Sequence, residues 1–143
     1  MNGPWSSTPN PFDWGVVGDV LLTRAVAGRI PDDAWFGMIE DMRRDEVKFI
    51  FSLSMGSAGV SAQQRRAAAE VMQSRDVPAV VIADSRITRG ILTAVSWLGA
   101  NIQSFPWERV DDAMARVQTS PAVLEELREL VEQFRTIAAA SSR

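Results

Sequence analysis

Residues 47–83, VKFIFSLSMGSAGVSAQQRRAAAEVMQSRDVPAVVIA, contain the pattern that decides the fold. The apolar run over 47–54 shows little alternation at its centre, which is typical of an interior strand. A Gly- and Ser-rich loop follows, and Ser61 with Gln64 then forms a Ser-x-x-Gln capping box, which marks the start of a helix. A second apolar run at 77–83 closes the unit. Strand, helix and strand in this order predict a right-handed crossover in a parallel sheet.

The flanking segments continue this alternation in both directions. Residues 14–30 predict a two-stranded hairpin with Gly18 and Asp19 at its tip. After residue 83 the pattern predicts a helix over 84–99, in which Gly90 suggests a close helix–sheet approach, then a strand, a short helix and a long helix. The sequence therefore predicts an α/β protein with a four- to five-stranded mixed sheet, in the order β-β-α-β-α-β-α-β-α plus a C-terminal helix.

The predicted domain organisation has three parts. Residues 1–13 carry three prolines and predict a flexible N-terminal tail. Residues 14–118 form the α/β domain, and residues 119–143 hold the C-terminal helix. That helix has an apolar seam at near-heptad spacing, at Leu124, Leu127, Val131, Phe134 and Ala138. Two alternatives are open for the seam: it packs on the sheet, or segment 121–139 docks on a protein partner or on a second copy to form a homodimer.

Composition excludes several classes of function. The chain contains no cysteine, histidine or tyrosine. The usual zinc sites, a thiol nucleophile and a histidine base are therefore absent, and no metal or cofactor is implied. A net charge of −3 gives no reason to expect nucleic-acid binding. The expected protein is not an enzyme, although a site made of carboxylates alone, such as Asp84 with Glu108, stays open. No signal peptide or membrane span is evident, which makes the cytoplasm the default location.

The candidate site lies where two predicted strands end, because ligands of open α/β sheets bind outside the carboxyl ends of the strands. The candidate binding loop comprises Ser54, Gly56, Ser57, Gly59 and Ser61. The candidate ligand or partner contacts are Asp84, Arg86, Arg89 and Trp107. The two arginines suit an anion, and Trp107 beside a proline suits an exposed binding surface. A plain helix-capping turn, with Asp84 capping the next helix, is the simpler interpretation.

Residues 79–117 resemble the STAS-like proteins, especially the SpoIIAA-like group, which borders on lipid-binding SEC14 domains. The similarity lies in an apolar strand ending in Asp84, a helix with Arg89, a short strand ending in Phe105 and a helix with Glu108. The resemblance implies a STAS-like fold over the α/β domain and a non-catalytic binding module.

In members of that family, phosphorylation of a serine in an Asp-Ser-Ser-Gly-type loop switches off binding to a kinase partner. The segment GSAG at 56–59 is similar to that loop, with Ser57 at the phosphorylated position and Gly56 where the family has aspartate. We therefore expect a regulatory protein-interaction module, switched at the 54–61 loop. The alternative is a carrier for a small ligand, a lipid or a nucleotide, held near Arg86 and Arg89.

Overall fold

The computed structural model describes residues 12–56, 58–84, 86, 90 and 101–141. The strands in this part of the chain are β1 (Phe12–Val17), β2 (Val20–Ala25), β3 (Gly28–Arg29), β4 (Phe49–Ser54), β5 (Ala58–Gly59), β6 (Ala79–Ala83) and β7 (Ile102–Phe105). The helices are α1 (Asp32–Met42), α2 (Ala62–Arg75), α3 (Val110–Ala115) and α4 (Pro121–Ser141), and a 3-10 turn, Trp107–Arg109, precedes α3.

The main sheet has five strands in the order β1-β2-β4-β6-β7. β1 pairs with β2 in an antiparallel hairpin, and β2, β4, β6 and β7 are parallel to one another. The predicted α/β fold with a mixed sheet is thus confirmed, and so is the hairpin at Gly18 and Asp19. The carboxyl ends of the four parallel strands all lie along one edge of the sheet, which we call the carboxyl edge.

Helices cover both faces of the sheet, which explains the apolar runs of its inner strands. On β4, Phe51 and Leu53 belong to a core that includes residues of α3 and α4. Ile50, one residue before Phe51, belongs to a second core that includes residues of α1 and α2. The sheet is therefore the middle layer of three, with β4 at its centre.

Helix α4 packs on the sheet of its own chain. Leu127, Val131, Phe134 and Ala138 of the seam are buried in the α3–α4 core, and Leu124 packs against it partly exposed. Packing of the seam on the sheet, the first of its two alternatives, is therefore observed. None of the helices described is at once long enough and apolar enough to cross a membrane.

The helix predicted over 84–99 lies largely outside the described residues, although Arg86 and Gly90 are helical. Gly90 is exposed, and a Cβ atom built on it would meet nothing within 4 Å. The expected close approach to the sheet at Gly90 is therefore wrong.

Strand β1 begins at Phe12, one residue before the predicted end of the N-terminal tail. The sequence analysis includes Asp13 in the tail because residues 1–13 hold three prolines together with Ser, Thr and Asn. In the fold, Asp13 lies directly opposite Arg24 on β2, and both side chains are buried. The guanidinium donates two hydrogen bonds to the carboxylate, at 2.7 and 2.5 Å. This bidentate ion pair extends the hairpin to Phe12.

Removing one partner of this ion pair is expected to be costly. Asp13→Ala would leave the buried Arg24 guanidinium without its carboxylate and should lower the free energy of unfolding by about 3 kcal/mol. The exposed control Glu70→Ala should change it by less than about 0.5 kcal/mol. Replacing both members, as Asp13→Val with Arg24→Met, should recover most of the loss, since no buried charge is then left uncompensated. Urea unfolding measures all three, and a double variant no better than Asp13→Ala would contradict this account.

Candidate functional site

Two successive backbone N–H groups at the carboxyl edge connect three adjacent parallel strands through their hydrogen bonds. The Met55 N–H, just after β4, donates to the Ala25 carbonyl at the end of β2, at 3.0 Å. The next N–H, that of Gly56, donates to the Asp84 carboxylate beyond β6, at 2.9 Å to Oδ1 and 3.1 Å to Oδ2. The loop that leaves the central strand is therefore held from both sides by its neighbours.

Gly56 is required by this geometry for two reasons. Its φ of +80° lies in the left-handed region that side chains disfavour. A Cβ atom at this position would also lie 2.9 Å from the Cβ of Ala27, in the loop after β2. The position taken by aspartate in the resembled family's loop is thus one that glycine alone fills without strain here.

The far end of the loop is built by a two-residue ladder and a helix cap. β5 pairs in parallel with β3, so that a Cβ on Gly59 would lie 2.9 Å from the Cα of Arg29. Ser61 caps α2: its Oγ accepts from the Gln64 N–H, and the Gln64 side chain accepts from the Ser61 N–H. The predicted capping box is confirmed. The close backbone approach at Gly59 has its cause in β3, which the sequence analysis did not predict.

Trp107 does not lie on an exposed binding surface, and that expectation is wrong. Its side chain is 9% exposed, and its indole N–H donates to the Ser54 carbonyl at 2.8 Å. The ring stacks on Phe134 of α4 with centroids 5.9 Å apart, and the Arg135 guanidinium lies 5.7 Å from its centroid. Trp107 therefore fixes the end of β4 to α4 and is unavailable as a direct contact.

The remaining candidates divide between the edge and the interior. Asp84 and Arg86 are exposed at the carboxyl edge, whereas Ser54 is buried. Ser57 and Arg89 lie outside the described residues. Asp84 and Glu108 are both exposed, and Asp84 already accepts the Gly56 N–H with both oxygens.

Metal binding finds no support in the described part of the chain. No group of three or more acidic residues that could hold a metal ion occurs there. With neither histidine nor cysteine in the sequence, carboxylates would have to supply most of the ligands.

The pKa of an exposed carboxylate is shifted at the opposite edge of the sheet, in the turn between α1 and β4. Arg44 Nε donates to Glu46 Oε1 at 2.6 Å. The pKa of Glu46 is lowered, first by a backbone hydrogen bond within the residue and then by the bond from Arg44. Both side chains are exposed, so water screens the pair and it contributes little to stability.

A cavity of about 170 Å³ lies between the sheet and helices α1 and α2. The described residues that line it are apolar except for four, which are Thr23, Ser52, Ser54 and Arg65. Ser54 is 6% exposed, and its Oγ is the one buried side-chain polar atom without a hydrogen-bond partner among the described residues. The sequence analysis missed this cavity, and the small side chains of Ala68 and Ala69 on the inner side of α2 were its visible signal.

Comparison with known proteins adds no relative: no family model, no curated protein and no solved structure matches the chain.

Asp84→Ala is expected to free the Gly56 amide. A hydrogen bond to a charged group contributes roughly 1.5 kcal/mol or more, so hydrogen exchange at Gly56 should accelerate about tenfold. Asp84→Asn keeps a neutral acceptor and should give an intermediate rate. The Met55 amide, which donates to Ala25 instead, is the internal control in the same spectra. Unchanged exchange at Gly56 in Asp84→Ala would show that the carboxylate does not hold the loop.

Gly56→Ala should lower the free energy of unfolding by about 1–2 kcal/mol, because it places a side chain at positive φ against Ala27. Gly90→Ala is the matched control, since Gly90 is helical, exposed and clear of neighbours. That substitution should be neutral or stabilise by up to about 1 kcal/mol. Chemical denaturation compares the two, and equal effects would contradict the role assigned to Gly56.

Proposed function

We propose that this protein is a non-catalytic, STAS-like regulatory module that binds a protein partner through the carboxyl edge of its sheet. The observation that supports this most is the bond from the Gly56 N–H to the Asp84 carboxylate. It lies at the exposed edge, on the residue directly before Ser57, which the family resemblance assigns as the phosphorylated serine.

The surface around this bond suits a partner better than a substrate. Ala27, Gly28, Arg29, Gly59 and Ser61 are exposed on the loops that meet there. These loops are held by backbone hydrogen bonds and a helix cap, so a partner would meet a preformed surface at little cost in ordering. The residue types that usually act as base or nucleophile, histidine and cysteine, are missing from the chain.

A phosphate provides a physical mechanism for the switch. Phosphorylation of Ser57 would add about two negative charges next in the chain to an amide that a carboxylate already holds. The phosphate and Asp84 repel each other, and both compete for backbone N–H donors. Release of Gly56 from Asp84 would change the edge that the partner contacts.

The order of elements agrees with this proposal. The described chain begins with an antiparallel hairpin and continues through parallel strands, which fits the β-β-α-β-α-β-α-β order of elements that the resemblance implies. A location in the cytoplasm belongs to the same proposal. Ligand carriage anchored at Arg86 receives less support, because Arg86 is not among the described residues that line the cavity.

The test compares the full chain with three variants as bait in lysate of the organism that encodes it. Wild type and Ser57→Ala should retain the same protein in near-stoichiometric amount. Ser57→Asp should retain at least about tenfold less, because the added charge mimics part of a phosphate. Ser74→Asp, at an exposed position near the end of α2, is the control for a charge placed elsewhere and should bind like wild type.

Quantitative mass spectrometry of the retained proteins gives the readout, and circular dichroism checks that the variants fold alike. Equal retention by Ser57→Asp, or no protein retained by the wild type, would overturn the proposal. Intact-mass analysis of the protein from its own host shows whether residue 57 carries phosphate.

A further inference from the structure

We propose that two copies of this chain associate through strand β7, the outermost strand on one side of the main sheet. The two β7 strands run antiparallel to each other about a two-fold axis beside Gln103, and they join both sheets into one continuous sheet. The partner that fits this surface is therefore a second copy of the chain. The inference rests on β7 and does not depend on the proposed partner-binding function.

The outer side of β7 carries backbone groups that point away from the sheet. The Ala79 N–H of β6 donates to the Asn101 carbonyl at 2.9 Å, and Ala79 lies opposite Ile102 in the parallel register. Because the backbone groups of successive strand residues point to opposite sides, the N–H and C=O groups of Ile102 and Ser104 face outward. No strand in the described part of the chain pairs with β7 on that side. These donors and acceptors are thus available to a further strand.

β7 is accessible to a second chain, whereas the outermost strand on the other side of the sheet is not. Gln103 is exposed, and Ile102 and Ser104 are partly exposed. In β1, by contrast, Phe12 and Trp14 are only 5% and 8% exposed. A strand of a second copy can therefore reach β7 but not β1. Since only one side of the sheet accepts a strand, the assembly closes as a two-fold dimer and does not extend into a filament.

The composition of β7 allows two identical strands to pair. Outermost strands are commonly protected from pairing by charged side chains or by proline. β7 reads IQSF and contains neither. Like charges directly opposite each other destabilise a pair of strands, and two copies of an uncharged strand avoid this repulsion. β7 also offers no charge with which to select an oppositely charged segment of a different protein.

Pro106 limits the register of this pairing. In the arrangement centred on Gln103, Ile102 lies opposite Ser104 of the second copy, and the two residues exchange both of their hydrogen bonds. Every outward backbone group of β7 is then used. A register shifted toward the carboxyl end brings Pro106 into the next outward position. Proline has no N–H, and the Pro106 carbonyl already accepts the Arg109 N–H at 3.0 Å, so that register loses half of the bonds.

The first experiment measures association of the full chain and locates the contact. Since β7 has four residues, the interface is small, and we expect a dissociation constant on the order of 100 µM. Sedimentation equilibrium between about 10 µM and about 1 mM should show a monomer–dimer equilibrium. In amide exchange measured by NMR, Ile102 and Ser104 should exchange about threefold more slowly at about 1 mM than at about 50 µM. The Gln103 amide, which faces β6, should not change.

Charge substitutions at Gln103 test the position of the axis. Gln103 lies opposite its own copy across the axis and is exposed, so the fold tolerates a charge there. Gln103→Glu and Gln103→Lys each place like charges opposite each other and should weaken self-association about fivefold. A one-to-one mixture of the two variants pairs glutamate with lysine and should restore wild-type association. Gln133→Glu and Gln133→Lys, at an exposed position on α4, are the matched controls and should associate like wild type.

Ser104→Pro tests the backbone bonds directly. It removes an outward N–H, so the monomer keeps the backbone bonds between β7 and β6. Loss of this donor from both copies should weaken association at least about tenfold. Circular dichroism and urea unfolding check the fold of the variant. If it does not fold, the mixture of the two Gln103 variants decides alone.

A chain that stays monomeric up to about 1 mM would overturn the inference and leave β7 as a surface for a different protein. A dimer in which exchange at Ile102 and Ser104 does not depend on concentration would also overturn it, because the contact would then lie elsewhere on the molecule. The same holds if the mixed Gln103 variants associate no better than either variant alone, or if Ser104→Pro folds and associates like wild type.

Discussion

The hydrogen bond from the Trp107 indole to the Ser54 carbonyl is the contact on which the rest of the structure depends. It connects the end of the central strand to α4, because the same indole stacks on Phe134. The two bonding residues are 53 positions apart in the chain, and the donor is buried. The bond is made at the last residue of β4, directly before Met55 and Gly56.

Three successive positions at the end of β4 therefore serve different parts of the molecule. Ser54 accepts the Trp107 indole N–H in the interior, Met55 bonds to the end of β2, and Gly56 bonds to Asp84 at the surface. A partner bound at the surface would thus act on a backbone segment whose first residue is held from the interior.

Local patterns predicted most of the fold, and long-range contacts account for what they missed. The capping box at Ser61, the hairpin tip and the apolar seam of α4 involve residues close together in sequence, and all three are present. The structure buries Trp107, whose partners come from distant segments that no local pattern connects to it. The sequence pattern places Asp13 in a tail because the residue that explains its burial, Arg24, lies on the other strand of the hairpin. The cavity escaped prediction for a related reason: a void is the space that many side chains together leave unfilled.

The ladder between β3 and β5 has a consequence for how the chain tolerates changes in length. It consists of two paired residues on each side, Gly28 with Ala58 and Arg29 with Gly59. This pairing joins the segment between β2 and α1 to the segment between β4 and α2, at a fixed number of residues from the end of each strand. A residue inserted before β3 or before β5 shifts the register of the pairing unless the other segment is lengthened too. Grafting a foreign loop here requires designing both connections as one unit.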